Sequence, residues 1–348
     1  MSLTRQAKLA LLRGCHLTGL TRLVLNSSWR QQRLLILCWH NIALDDEHLW
    51  NPQLCLSPAT FRSRLELLRS LRCNVLPLGD ALERLKNGML PPKAVALTID
   101  DGDSSAYLLA WPILREFGFP ATLYWTTYYS TKPYAVFDTM LSYLLWKARG
   151  KRLHLLEPAL ESDLATAEKR THSFQRIYKH AQDNAWTGEQ KEEFVATTAR
   201  NLGIDYAAVK ALRILHLITP AEARAMQAEG LDLQLHTHRH RVPKDPSQFA
   251  VELQDNGQRI RDAGAPDPRH FCYPSGSYVP EFAAWLRQNN VVSATTCQPG
   301  FARRDSDLYF LPRLLDQEDK SATELESWVS GVASWVARPQ RMDEHSFR

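Results

Sequence analysis

The chain reads as an α/β protein with parallel strands, arranged as a sheet or barrel and interrupted once by a long, mainly helical insertion. Two observations predict this. Short apolar runs of strand length alternate with stretches of helical period from Leu34 onward, the order expected of a parallel sheet. That alternation lapses between about 137 and 215, where the period is helical throughout, and resumes afterwards. With 348 residues, 44% of them hydrophobic, the composition is that of a soluble globular protein. It allows one large α/β domain with an insertion, or two modest domains.

The first 33 residues carry six Arg or Lys and no Asp or Glu, although the whole chain has a net charge of only +4. The body is therefore slightly acidic, which argues against nucleic acid as a partner, because a basic stripe on the folded domain is missing. Leu9, Leu12, Leu17, Leu20, Leu23 and Val24 lie among those basic residues, so the segment reads as an amphipathic helix. It would rest either on an anionic membrane or on its own domain. No signal peptide or membrane-spanning run is visible, and the expected location is cytoplasmic, either free or in peripheral membrane contact through this segment. The six cysteines are scattered without a CxxC pair and read as buried thiols in a reducing compartment.

In chain order, Leu34 to Trp39 is an apolar strand running directly into His40. Ser57-Pro58 opens a helix with Phe61, Leu65 and Leu68 at helical period, Ser57 as N-cap and Pro58 at its first position. A short extended stretch at Leu76 to Leu78 and a helix over Asp80 to Lys86 complete a βαβα order. The next strand, in VALTIDDG (95–102), ends abruptly at Asp100 and Asp101. In α/β folds that end of a strand faces the active site. Neighbouring side chains of a strand point to opposite faces, so both carboxylates serve one site only if the chain turns, which Gly102 permits. Two close carboxylates repel unless a cation lies between them. By itself a DDG is more often just a strand followed by a solvated turn, so partners elsewhere must decide it.

A helix carrying Tyr107, Leu108, Trp111 and Leu114 runs to Gly118, and the strand Ala121 to Trp125 follows Pro120. Tyr128 and Tyr129 in its loop read either as a sugar-stacking platform or as ordinary packing. After the insertion, Thr219 to Glu222 is a capping box that opens a helix ending at Gly230. The strand around Leu231 to Leu235 then ends in HTHRH (236–240). On a continued strand His236 and His240 would be about 13 Å apart, too far for one ion with bonds of roughly 2 Å. A single turn brings them within reach, and two histidines with one Asp make the ligand set of an open catalytic zinc site; three histidines in five residues also occur as a surface cluster.

Further strands are expected at Arg269 to Tyr273, Val291 to Thr296 and Tyr309 to Leu315, with helices over Phe249 to Asp262 and Phe282 to Gln288. The turn Pro274-Ser275-Gly276-Ser277 follows the first of these, a position from which backbone N–H groups can face a developing oxyanion. Thr323 to Val336 reads as a closing helix whose Leu325, Trp328, Val332 and Trp335 form a core-facing stripe.

TIDDG, HTHRH and FCYPSG, in that order, resemble the NodB-homology polysaccharide deacetylases of carbohydrate esterase family four, over most of the chain from Leu34 to about Leu315 apart from the insertion. The resemblance implies a distorted (β/α)7 barrel that removes acetyl groups from N-acetylated sugars of a polysaccharide or lipid-linked glycan with a divalent metal, expected to be zinc. It implies Asp100 as general base, Asp101, His236 and His240 as metal ligands, and the Ser275 N–H in the oxyanion hole. The late Leu-x-His motif whose histidine is the family's general acid is absent, and the corresponding stretch reads FLPRLL. LILCWH is similar to the permuted arrangement of the biofilm poly-N-acetylglucosamine deacetylases, which makes His40 the expected acid. Cys272 stands where the third motif often has an arginine that holds the base, and Arg313 is expected to substitute for it.

The expected division is therefore 1–33 as a basic N-terminal segment, 34–318 as the deacetylase barrel with its insertion at 137–215, and 319–348 as a C-terminal helix and tail. The competing readings are a catalytically silent carbohydrate-binding barrel and a metal amidohydrolase acting on a small non-sugar amide.

Overall fold

The computed structural model describes residues 3–336. Its centre is a curled sheet of parallel strands with helices around it, a distorted (β/α)7 barrel. The strands are β1 (Leu35–Trp39), β2 (Ala94–Asp101), β3 (Thr122–Trp125), β4 (Asp232–Leu235), β5 (His270–Cys272), β6 (Ser293–Thr295) and β7 (Leu314–Leu315). They lie side by side in the order β6-β5-β4-β3-β2-β1-β7, and an additional short strand, Asn74–Val75, pairs with the start of β2. The sheet curls back on itself: Thr296 N–H donates to the Leu311 carbonyl at 2.9 Å, so the chain entering β7 is bonded to the end of β6.

β1 and β3 are buried along their whole length, and β2 along all but its last residue. This is why they read as continuous apolar runs, since a parallel sheet is covered on both faces. The surrounding helices begin where the sequence signals them. Ser57 accepts from the Thr60 N–H at the start of Pro58–Ser70, and Thr219 and Glu222 close a reciprocal capping box at the start of Pro220–Ala228.

The insertion between β3 and β4 has a hydrophobic core of its own, which includes Leu141, Leu144, Ile177, Val195 and Ala199. It is not helical throughout: Arg152–Leu155 and Leu160–Asp163 form an antiparallel hairpin between its first two long helices. Only the first of these strands alternates cleanly between buried and exposed residues, and four residues are too few to register against the helical period around them.

The N-terminal helices Leu3–Leu17 and Leu20–Leu25 pack on the closing helix Ala322–Ser330, with Leu12, Val24 and Leu25 in the main core. Leu11, Leu17 and Leu23 stay exposed. The closing helix ends earlier than its stripe predicts. Gly331 adopts a left-handed φ of 102° against Trp29, and a short 3-10 turn, Val332–Trp335, follows. Leu325, Trp328 and Val332 are buried as expected, whereas Trp335 is 56% exposed. The expected tail beyond 336 lies outside the described residues. Among the described residues no helix is long and apolar enough to cross a membrane, and all six cysteines are free thiols.

Candidate metal and catalytic site

The C-terminal ends of β1, β2, β4 and β5 and the segment entering β7 meet at one rim. At the end of β2 the chain turns sharply: Asp101 has φ 70°, Gly102 has φ 82°, and the Gly102 N–H donates to the Asp100 carbonyl at 2.9 Å. A Cβ at position 102 would sit 2.5 Å from Trp125 Cδ1, so both the conformation and the space demand glycine. The turn lets two adjacent carboxylates serve one site with different partners.

Asp101 faces two histidines. Its Oδ1 lies 3.0 Å from His236 Nε2 and 3.3 Å from His240 Nε2. His236 stands at the end of β4, and its Nδ1 is 2.9 Å from the Cys272 carbonyl. A carbonyl only accepts, so Nδ1 carries the proton and Nε2 presents a lone pair toward Asp101, the tautomer a metal ligand needs. His240 reaches the same point because positive φ values at Thr237 (61°) and His240 (54°) wind HTHRH into a turn. His238, the middle histidine, faces away, with Nδ1 2.8 Å from Thr127 Oγ1 and its ring edge-on to Tyr128.

The donor set fits a divalent cation. Two imidazole nitrogens and a carboxylate oxygen converge within 4.8 Å of one another. In the bare site the same attraction acts on protons. Burial would raise the Asp101 pKa, but His240 and His236 hold it well below the usual carboxylate range; burial would lower the His240 pKa, but Asp101 raises it. Two other groupings of similar span, Cys38 with His40 and Asp100, and Asp100 with His236 and Cys272, suit a cation poorly. Both depend on Asp100, which is already engaged, and on thiols whose pKa burial pushes well up.

Asp100 is 1% exposed and is held by Arg313 in a bidentate pair, Nη1 to Oδ1 and Nη2 to Oδ2, both at 2.8 Å. Burial alone would raise its pKa, yet Arg313 keeps the carboxyl well below the ordinary range and so ionised. Arg313 also donates to the Thr296 carbonyl and to Thr98 Oγ1, and its Nη2 lies 3.0 Å from Cys272 Sγ. The small thiol at 272 leaves room for a guanidinium arriving from the segment before β7. His40, just beyond β1, brings Nε2 to 3.8 Å from Asp100 Oδ2. Its pKa is lowered, by burial above all, with Asp100 opposing, and its Nδ1 is buried without a hydrogen-bond partner.

Asp100, Asp101, His40, His236, His240 and Arg313 thus stand together. Ser275 lies in the exposed turn three residues beyond Cys272, with φ 56°. Tyr128 and Tyr129 are half-buried on the same rim, their rings edge-on at 5.1 Å.

One contributor was not singled out in the sequence. Asn256, fully buried on helix Pro246–Asp262, accepts from the His236 N–H at 2.8 Å and donates to the Trp125 carbonyl at 2.9 Å and to Thr127 Oγ1 at 3.1 Å. It ties the ends of β3 and β4 together and fixes the backbone of a proposed ligand. An asparagine at helical spacing between the apolar Leu253 and Ile260 was the available signal.

Comparison with known proteins gives a consistent picture. The sequence profile described as polysaccharide deacetylase matches residues 87–293. Poly-beta-1,6-N-acetyl-D-glucosamine N-deacetylase of Escherichia coli (strain K12) is 30% identical over 100 residues, 28% of this chain and 15% of that protein. The protein of the same name from Staphylococcus aureus (strain MSSA476) is 34% identical over 67 residues, 19% of this chain and 23% of that protein. The aligned stretches therefore span less than a quarter of either relative. Among solved structures, the Streptococcus pyogenes deacetylase PplD in complex with acetate superposes with a TM-score of 0.56 at 18% identity, covering 85% of this chain and 98% of that one. IcaB from Ammonifex degensii superposes with a TM-score of 0.53 at 19% identity, covering 87% and 96%. These two likenesses are of fold.

Proposed function

Because the chain belongs to the polysaccharide deacetylase family, we propose that it is a carbohydrate N-deacetylase, a metal-dependent hydrolase that removes acetyl groups from N-acetylated sugars. The observation that carries this reading is the pairing of two adjacent carboxylates with different partners: Asp101 within 3.3 Å of two histidines, and Asp100 clamped by Arg313 with His40 3.8 Å away. Acyl transfer by hydrolysis needs those roles separated: one group to seat a Lewis acid, one to take a proton, one to give a proton.

Asp101, His236 and His240 would hold the cation, and zinc suits two imidazoles and a carboxylate with a position left open. When bound, it supplies a Lewis acid for the acetyl carbonyl and a water acidic enough to be deprotonated near neutral pH. Asp100 would act as the general base, taking a proton from the attacking water. The Arg313 clamp fixes the carboxylate's orientation and keeps it ionised, at some expense of its strength as a base. His40 Nε2 gives a proton to the departing nitrogen, because an amine anion is a very poor leaving group. The protons balance over the cycle: Asp100 gains one and His40 loses one, and their approach lets the pair reset. The Ser275 N–H is the proposed backbone donor to the developing oxyanion, an interaction worth roughly 3–4 kcal/mol in other enzymes. Tyr128 and Tyr129 offer ring faces and edges on the rim for a sugar.

The poly-N-acetylglucosamine named in the relatives makes an N-acetylhexosamine polymer, or a lipid-linked precursor of one, the proposed substrate class. Release of acetate from acetylated chitooligosaccharides, compared with a panel of simple amides and measured with and without added zinc, tests the reading. Turnover of the amides alone would replace the sugar substrate, and turnover of neither would leave a binding barrel.

A further inference from the structure

At the opposite end of the barrel, beyond the first residue of β1, an open cleft of about 570 Å³ is lined by Gln31, Gln32, Arg33, Leu90, Arg303 and Arg304. β1 is five residues long, so the cleft lies on the order of 16 Å or more from the rim that carries the carboxylates. The antiparallel bridge between Leu34 and Ala302 sets Arg33 and Arg303 beside one another. Like charges at adjoining positions of paired segments are destabilising unless something answers them. Asp305 answers Arg303, Nε to Oδ1 at 3.2 Å, but both side chains are more than half exposed and the pair is worth little.

Among the described residues the other two guanidiniums form no ion pair, and Asp305 acts on Arg33 only from longer range. Arg33 lies over the Trp29 ring at 4.1 Å and donates to the Trp29 carbonyl, and Arg304 Nε donates to the Lys86 carbonyl at 3.1 Å. A ring face and backbone carbonyls orient a cation while leaving the rest of its fork free. Among the described residues, three arginines therefore line a cleft that contains one carboxylate.

We propose that this cleft binds a phosphate-bearing anion through Arg33, Arg303 and Arg304, with the Gln31 and Gln32 amides as further donors. The guanidinium fork matches phosphate oxygens in pairs. The volume falls in the range of small-molecule sites and exceeds what a lone phosphate fills. A soluble phosphate ester and a lipid headgroup present the same chemistry. The exposed Trp335, 6.5 Å from the Trp29 ring, is a residue type that settles at membrane interfaces.

The test uses the full chain at low salt, where exposed charges are least screened. Inorganic pyrophosphate is titrated by calorimetry, and flotation is measured with vesicles of phosphatidylcholine alone or mixed with phosphatidylglycerol. Arg304→Gln and the double variant Arg33→Gln/Arg303→Gln are compared with the wild type. Pyrophosphate is expected to bind the wild type and to bind Arg304→Gln roughly tenfold more weakly, the loss of one charge-assisted contact. Flotation that requires phosphatidylglycerol and fails in the variants would support the site and assign a lipid headgroup; pyrophosphate binding without flotation would support it and assign a soluble ester. Absence of both, or binding that neither variant weakens, overturns the proposal. Melting temperature and acetate release of Arg304→Gln should match the wild type, so it serves alone should the double variant fail to fold.

Discussion

Replacing Arg313 with methionine tests the central electrostatic argument. The Arg313–Asp100 pair is buried on both sides, at 1% and 2% side-chain exposure respectively, and both of its hydrogen bonds are 2.8 Å. Methionine fills much of the arginine's volume but leaves a carboxylate in a dry site without its cation. Breaking a buried pair in this way costs about 3–5 kcal/mol, because the surviving charge keeps its full desolvation penalty. In the wild type the Asp100 pKa is depressed below its unfolded value of 3.8, so the pair's stabilisation is complete above that pH and is lost as pH falls through the folded pKa. In the variant burial acts unopposed by the arginine, and the carboxyl's pKa rises. The deficit should therefore be largest at neutral pH and shrink as acid protonates Asp100.

Urea unfolding from neutral to mildly acidic pH measures the first effect. The acid limb of acetate release measures the second, and it should move upward as the base becomes protonated in the working range. Arg313→Met/Asp100→Asn should recover much of the lost stability without recovering activity, since removing both charges leaves no unpaired ion. A single variant whose stability and acid limb both match the wild type would refute the assignment of Arg313 as the group that holds the base.

Zinc at a hundredfold excess over its dissociation constant should stabilise the wild type by about 2.7 kcal/mol in thermal or urea unfolding, and His240→Ala should abolish the increment. Chelation should stop turnover while far-UV circular dichroism is retained. Asn256→Ala should weaken zinc binding by roughly 10–100-fold and cost about 1–3 kcal/mol of stability, because the His236 N–H loses its buried acceptor. His40→Ala should lower turnover on the order of 10²–10⁴-fold. Donation requires the imidazolium, whose pKa burial holds below the ordinary 6.5, so turnover should already fall as pH rises toward neutrality, and this alkaline limb should disappear in the variant.

The residues that lie in one short stretch of chain were legible, because their message is local. VALTIDDG states an apolar strand, its polar end and the glycine that the turn against Trp125 requires, and HTHRH states two imidazoles one turn apart. What was not legible depends on contacts across the barrel. The expected strand Tyr309 to Leu315 shortens to Leu314–Leu315 because Pro312 has no N–H to donate and Arg313 turns inward to Asp100. Asn256 reads in sequence as one polar residue on a helix, and only the fold shows that it spans two strand ends.

The same contrast bears on the missing late histidine. A barrel brings the ends of its first and last strands side by side: β1 pairs with both β2 and β7, with Cys38 opposite Leu315. A side chain entering the site from β1 and one entering from β7 therefore approach the same carboxylate from neighbouring positions, and His40 and Arg313 both reach Asp100. Chain order is free to change while the spatial set is kept, because the chemistry depends on which atoms meet at the rim and not on which end of the sequence supplies them. The exchange is also self-consistent in charge. An arginine at 272 would compete with Arg313 for Asp100, whereas the neutral thiol that stands there accepts the guanidinium at 3.0 Å and leaves the carboxylate with one cation. On this argument Cys272→Arg should destabilise the protein even though it restores the more usual family residue, since it would place two buried positive charges against a single negative one.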